Sequence, residues 1–306
     1  MATDLPRLHG IVPPLPTPLR PDESIDAPAL ARLIDFQLKA GVHGLWVLGT
    51  TARFDLIPDA RLREAAEIAA SAAAGRVPLV LNVSEQGTLR TLARARGFDD
   101  LPYDYYAVLP PWYQPMTPAE LTDYFHVLAD RLSKPVVIYN APWVCNQLSF
   151  GHLRKLAEHP RIVGCKDVTP ALNRTLDWPS AERRQQDFSY LHGSDLIATS
   201  AELGADGFVS ALSNCLPELA VAAWDAVRAD DGERAARLQS QFLRVARAQG
   251  FGPMHACLQV IFQHRGLLDR MLPSPLRALD DATAARVVEV LERVGVTPEA
   301  AVSAAV

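Results

Sequence analysis

Lysine is nearly missing from this chain of 306 residues, and so are paired cysteines, basic blocks and long apolar runs. Each shortage excludes something. No apolar stretch approaches the roughly 18 residues that a membrane-spanning helix needs. The opening residues, MATDLPRLHG, lack the basic-then-apolar pattern of a signal peptide, so the expected location is the cytoplasm. The four cysteines, Cys145, Cys165, Cys215 and Cys257, form no CxxC pair, which points away from a zinc site and from a disulfide framework. With a net charge of −5 and no clustered Lys/Arg, nucleic acid and acidic membranes are poor candidates for the main partner. No GxGxxG follows a strand-like run, which counts against an open doubly wound sheet.

What is present is an alternation of two patterns. Strand-like apolar runs fall at 8–15, 44–50, 78–84, 105–110, 135–140, 162–168, 188–193 and 206–212. Helix-period segments follow them at 27–40, 58–74, 87–97, 117–132, 149–158, 171–186, 195–203 and 216–229. Near-continuous apolar strands separated by helices predict a parallel sheet covered on its outer side. Eight such units suit a closed (β/α)8 TIM barrel better than an open doubly wound sheet. Beyond 230 the pattern is wholly helical, at 231–249, 253–266 and 280–293. The expected organisation is therefore a barrel over 1–230 and a C-terminal helical appendage over 231–306.

Of the four lysines, Lys39, Lys134 and Lys155 read as surface residues. Lys166 lies inside the apolar run Ile162-Val163-Gly164-Cys165-Lys166-Asp167-Val168. A buried ammonium is costly, so the amine is expected to lose its proton readily and become a nucleophile of the Schiff-base kind. The bland alternative is a strand-end lysine that reaches water. In a (β/α)8 barrel the catalytic groups gather at the C-terminal ends of the strands. Those ends carry Gly49-Thr50-Thr51, Asn82, Trp112-Tyr113, Tyr139-Asn140-Ala141-Pro142, Lys166-Asp167, His192-Gly193-Ser194-Asp195 and Ser210 to Asn214. An amine, a phenol one strand away and a Gly-Thr-Thr turn are the parts of an imine-forming aldolase: nucleophile, proton shuttle and carboxylate holder. Each part alone also has a structural reading: Tyr139 as a core tyrosine, His192 as a packed strand-end histidine.

The joint pattern resembles the dihydrodipicolinate synthase/N-acetylneuraminate lyase family of class I aldolases. Its marks here are GVHGLWVLGTT at 41–51, YNAP at 139–142, GCKD at 164–167 and GADGFVS at 204–210. The resemblance implies a (β/α)8 barrel with extra C-terminal helices and no metal or organic cofactor. It also implies a pyruvate-type 2-keto acid substrate and a homo-oligomer, dimer or tetramer. By it Lys166 is the Schiff-base lysine and Tyr139 the proton-shuttling phenol. Thr50 and Thr51 hold the keto acid carboxylate, with Thr50 also in the proton relay. Tyr113 is the relay tyrosine supplied across a subunit interface, and Val209 presents a backbone carbonyl to pyruvate. Gly193 and Asn214, at the ends of strands 7 and 8, join the expected substrate contacts.

Two departures stand out. The family's GTTGE turn reads Gly49-Thr50-Thr51-Ala52-Arg53 here, which reverses a charge and requires a negative φ at Ala52. After YNAP, Val144 stands where dihydrodipicolinate synthases carry an arginine that clamps the aldehyde's carboxylate. Valine cannot make that bidentate contact, so dihydrodipicolinate synthesis is not expected. Trp112, Trp143 and Val144 suggest an apolar mouth, the bland alternative for the two tryptophans being packing or a subunit interface. Arg53 is either a relocated clamp or a loop arginine paired with Asp55 or Asp59. The leading expectation is a 2-keto acid lyase, aldolase or dehydratase. A silent relative acting as scaffold or ligand sensor, or a phosphate-binding isomerase on the same fold, are the alternatives.

Overall fold

Eight apolar runs buried on both faces need helices outside them and side chains inside, and a closed parallel sheet supplies both. The computed structural model describes residues 7–170 and 175–298 and has this architecture. The strands are β1 (Gly10–Ile11), β2 (Leu45–Val47), β3 (Leu79–Asn82), β4 (Tyr105–Val108), β5 (Val136–Asn140), β6 (Ile162–Asp167), β7 (Ser189–His192) and β8 (Gly207–Phe208). Each is followed by its helix: α1 (Ala27–Lys39), α2 (Asp59–Ala73), α3 (Thr88–Arg96), α4 (Pro118–Arg131), α5 (Phe150–Leu156), α6 (Ser180–Gln185), α7 (Ile197–Glu202) and α8 (Pro217–Arg228). All neighbouring strands pair in parallel, in the order β1-β8-β7-β6-β5-β4-β3-β2.

The circle closes between β1 and β2, where proline decides the form of the pairing. Pro13 and Pro14 have no N–H to give, so the expected strand at 8–15 shrinks to two residues. Their carbonyls still accept: Trp46 N donates to Pro13 O at 3.0 Å, and His43 N donates to Ile11 O at 2.8 Å. Leu15 N returns a bond to Trp46 O at 2.8 Å. The barrel therefore joins through an isolated bridge at Pro14 and Trp46.

Helix starts follow local chemistry. At α4, the Thr117 hydroxyl and the Glu120 carboxylate cap each other's backbone N–H, with proline in the first turn. The expected helix at 171–186 is instead the short α6. Residues 171–174 lie outside the described residues, and Pro179 disfavours helical geometry at Trp178, so the helix starts at Ser180.

Three further helices follow: α9 (Gly232–Ala246), α10 (Met254–His264) and α11 (Asp281–Arg293). Their apolar faces share one hydrophobic core with the barrel, through Phe242, Ile261 and Leu291 among others. Phe242 meets Phe208 of β8 edge-on, with centroids 6.4 Å apart. Among the described residues, no helix is long and apolar enough to cross a membrane.

Candidate active site

Strand alternation and register bring the site together. Tyr139 on β5 pairs with Lys166 on β6, so both side chains point to the barrel interior from adjacent strands. The Lys166 Nζ lies 4.1 Å from the centre of the Tyr139 ring and 5.2 Å from that of Trp46 on β2. Trp46 and Tyr139 meet edge-on, at 5.5 Å and 71°. All three are buried. Burial pushes the Lys166 amine down to about 7, which puts a substantial neutral fraction at physiological pH. Burial likewise pushes the Tyr139 phenol up to about 12, so it keeps its proton there. The Tyr139 hydroxyl is 3.1 Å from Thr50 Oγ1, and either oxygen can donate.

Thr50 stands on a 3-10 turn, Thr50–Ala52, that follows β2. Left-handed residues bracket this turn: Leu48 with φ of 58° before it and Arg53 with φ of 54° after it. A β-carbon disfavours that region, so the turn's shape is imposed at a local cost by its surroundings. Ala52 has no positive φ and tolerates the loss of the family's glycine. Thr51 is buried beside it. From 205 residues further on, His255 of α10 donates from Nε2 to the Thr50 carbonyl at 2.9 Å. That bond fixes the Nε2–H tautomer, and burial lowers the His255 pKa and keeps the ring neutral.

Behind the lysine, Asp167 faces the helices. Asn140 Nδ2 donates to it at 3.0 Å, the Tyr190 hydroxyl at 2.7 Å and the Thr169 N–H at 3.1 Å. These bonds anchor the β6 terminus that carries Lys166. Gly193, after β7, permits a close approach: a methyl group there would lie 1.9 Å from Val168 Cγ1 and 3.4 Å from Lys166 Cε. Val209 is buried after β8, its N–H donating to the His192 carbonyl at 2.9 Å.

Other predicted residues sit elsewhere. Asn214 is buried and donates to the carbonyls of Pro14 (2.8 Å) and Ala211 (3.0 Å), tying the turn after β8 to β1. His192 points outward, donating from Nε2 to the Thr169 carbonyl, while its Nδ1 meets the Ser194 and Ser200 hydroxyls. Arg53 turns to Asp55, with Nε to Oδ1 at 3.0 Å and an Nη to Oδ2 at 2.7 Å. Tyr113 is 81% exposed on the loop after β4.

A cavity of about 500 Å³ opens above Thr50. Phe54, Leu109, Trp112, Trp143, Val144 and Met254 supply most of its walls, with Arg53 and Asp55 at the side. Trp46 and His255 were not singled out by sequence reasoning. Trp46 lies inside the GVHGLWVLGTT motif, where an indole four residues before Thr50 was the available signal. Nothing in the sequence around His255 announces its contact with Thr50.

A match to the dihydrodipicolinate synthetase family spans residues 7–294. The chain is 33% identical to an uncharacterized DapA-like lyase of Halobacterium salinarum, over 90% of each chain. It is 32% identical to a 4-hydroxy-tetrahydrodipicolinate synthase of Acidiphilium cryptum, over 77% of this chain and 80% of the relative. Among solved structures, the Escherichia coli K12 prophage protein YagE, a dihydrodipicolinic acid synthase family member in complex with pyruvate, aligns with a TM-score of 0.89. That alignment covers 94% of this chain and 99% of YagE at 25% identity.

Proposed function

We infer the chemistry from one premise: this chain belongs to the dihydrodipicolinate synthetase family. The reading is a 2-keto acid lyase, aldolase or dehydratase, working through an imine on Lys166. The observation that carries it is the buried amine held 4.1 Å from the ring of Tyr139, whose hydroxyl in turn meets Thr50.

The proposed course starts with the carboxylate of pyruvate at the Thr50-Thr51 turn, against hydroxyls and the N–H groups that open a 3-10 turn. Val209 and Gly193 supply backbone on the opposite side. Neutral Lys166 attacks the keto carbon, and the carbinolamine oxygen leaves as water after taking a proton from Tyr139. The resulting iminium is a cation flanked by the faces of Trp46 and Tyr139, which favour positive charge there. Loss of a C3 proton to the Tyr139–Thr50 pair gives the enamine. That nucleophile makes or breaks a C–C bond, or loses water, according to the second substrate. Tyr113 reads as a relay residue donated to a neighbouring subunit, and its exposure in the single chain supports that reading and a homo-oligomer. The segment 231–306 reads as an appendage that steadies the site, with His255 holding the Thr50 turn.

Borohydride reduction with pyruvate, followed by intact-mass and peptide mass spectrometry, tests this directly. The expected result is a reduced pyruvyl adduct on Lys166 that is absent from Lys166→Ala. Thermal stabilisation by pyruvate with no covalent capture would overturn the lyase reading in favour of a silent ligand sensor.

A further inference from the structure

The imine chemistry leaves the second substrate open, and the cavity above Thr50 bears on it. Its size lies in the range of small-molecule sites, roughly 300–1,000 Å³. It touches the reacting centre at one residue, Thr50, which lines the cavity and whose hydroxyl pairs with that of Tyr139. Its walls are apolar and partly bare: Trp143 is 63% exposed, Met254 40% and Val144 39%. Phe54 and Trp112 meet edge-on, with centroids 6.1 Å apart and planes at 89°, giving a preformed aromatic wall.

The charges at this mouth cancel locally. The Arg53 guanidinium makes two bonds to Asp55, so the cation stays matched to its own carboxylate. His255 is neutral and spends its N–H on Thr50. Among the described residues that line the cavity, no other side chain carries positive charge. A carboxylated aldehyde would lose water there without gaining a counter-ion, and a polyhydroxylated one would find few hydrogen-bond partners.

We propose, resting on the imine reading above, that the acceptor is an aldehyde bearing an uncharged aryl group, selected by Trp112, Trp143 and Val144. The enamine carbon attacks the aldehyde carbon, forming the C–C bond as the carbonyl π pair moves to oxygen. That oxygen takes the proton earlier removed from C3, through Tyr139. Water then hydrolyses the iminium, releasing a 4-aryl-4-hydroxy-2-keto acid and the free Lys166 amine. The reverse sequence cleaves the same compound.

The test gives the protein pyruvate with benzaldehyde, glyceraldehyde or succinic semialdehyde and quantifies products by liquid chromatography and mass spectrometry. Benzaldehyde is expected to lead in kcat/KM by about tenfold or more. In Val144→Arg the lead over succinic semialdehyde should shrink by about tenfold or more, since the new cation meets the carboxylate. Trp112→Ala should raise KM for benzaldehyde more than KM for pyruvate. A lead for either polar aldehyde, or substrate ratios unmoved in both variants, would overturn the assignment. Borohydride capture of pyruvate runs in parallel. Capture without condensation of any aldehyde overturns the aryl acceptor and leaves the imine reading standing, whereas no capture overturns both.

Discussion

Lys166, Tyr139 and Trp46 stand on three strands of the barrel and are buried, whereas Trp143 and Val144 stand on the loop after β5 and face solvent. The two ends of one site are built under different physical constraints. At the lysine end, strand register fixes the amine against the phenol, and burial is the largest cause that shifts the two groups in opposite directions. Moving any one of them would disturb a close-packed interior. At the proposed acceptor end, side chains line a cavity without filling it, so exchanges such as Val144 for arginine are cheap for the fold and, on the proposed reading, decisive for the ligand. On the proposed reading, chemistry sits where the backbone is over-determined, and specificity sits where it is not.

The sharpest way to break this comparison is to remove the phenol. Tyr139→Phe should lower turnover by about 100-fold or more, the usual range for loss of a general acid–base group. Its far-ultraviolet circular dichroism should stay that of the parent, because the ring's packing on Trp46 and Lys166 is kept. Turnover within a few-fold of the parent would mean that proton transfer does not pass through this residue.

The next effect is a pH dependence whose sign follows from burial. With the Lys166 amine pushed down to about 7, the rate of pyruvate capture should rise about tenfold per pH unit below that value and flatten above it. An unshifted lysine would keep gaining up to the ordinary value of 10.5. Stability responds to the same shift in the complementary window. Between about 7 and 10.5 the unfolded chain holds the Lys166 proton and the folded chain does not, so folding becomes more favourable as pH rises through that window. Lys166→Met should abolish the rate dependence and flatten that component of stability.

Tyr113 tests whether the boundary between the two ends runs through one chain or two. Tyr113→Phe should slow turnover by about tenfold or more while leaving borohydride capture at Lys166 largely intact. Equal loss of both would place Tyr113 in imine formation itself. Full activity in a variant held monomeric would remove the interface from the reaction.

The same division explains what was legible before the structure. Parallel buried strands write themselves as apolar runs, so all eight were visible, and the strand-end rule then pointed to Lys166, Tyr139 and Thr50. The C-terminal helices showed through their period and their Gly/Pro breaks. What was hidden depends on contacts that no local pattern encodes. His255 reaches Thr50 across 205 residues, and the indole of Trp46 meets a lysine from another strand. Closure at Pro13-Pro14 needed knowledge of which backbone groups face each other across the seam. Asn214 and His192 looked available because polar residues at strand ends usually are, yet the Asn214 amide nitrogen serves backbone carbonyls and the His192 ring serves a carbonyl and neighbouring hydroxyls. Chain direction at a loop, inward or toward a neighbour, is set by packing and not by residue type.

Arg53 is the smallest test and the one that separates the two ends most finely. Its guanidinium bonds twice to Asp55, and burial, which would raise that carboxyl, is outweighed by Arg53 so that the Asp55 pKa falls. The pair is partly exposed, with the Asp55 side chain 41% accessible, so it contributes about 0.5 kcal/mol to stability. Arg53→Ala should therefore lower Tm by only about 1–2 °C, the scale for a chain of this size. The left-handed φ at position 53 costs alanine and arginine alike, so the backbone term cancels in the comparison. KM for succinic semialdehyde should stay within about twofold, because a charge satisfied by its own neighbour offers little to a ligand. A clamp on a substrate carboxylate would behave otherwise: losing a charge-assisted, bidentate contact costs on the order of 2 kcal/mol or more, about thirtyfold in KM. A thirtyfold rise would return Arg53 to the substrate and give the acceptor end a charge of its own.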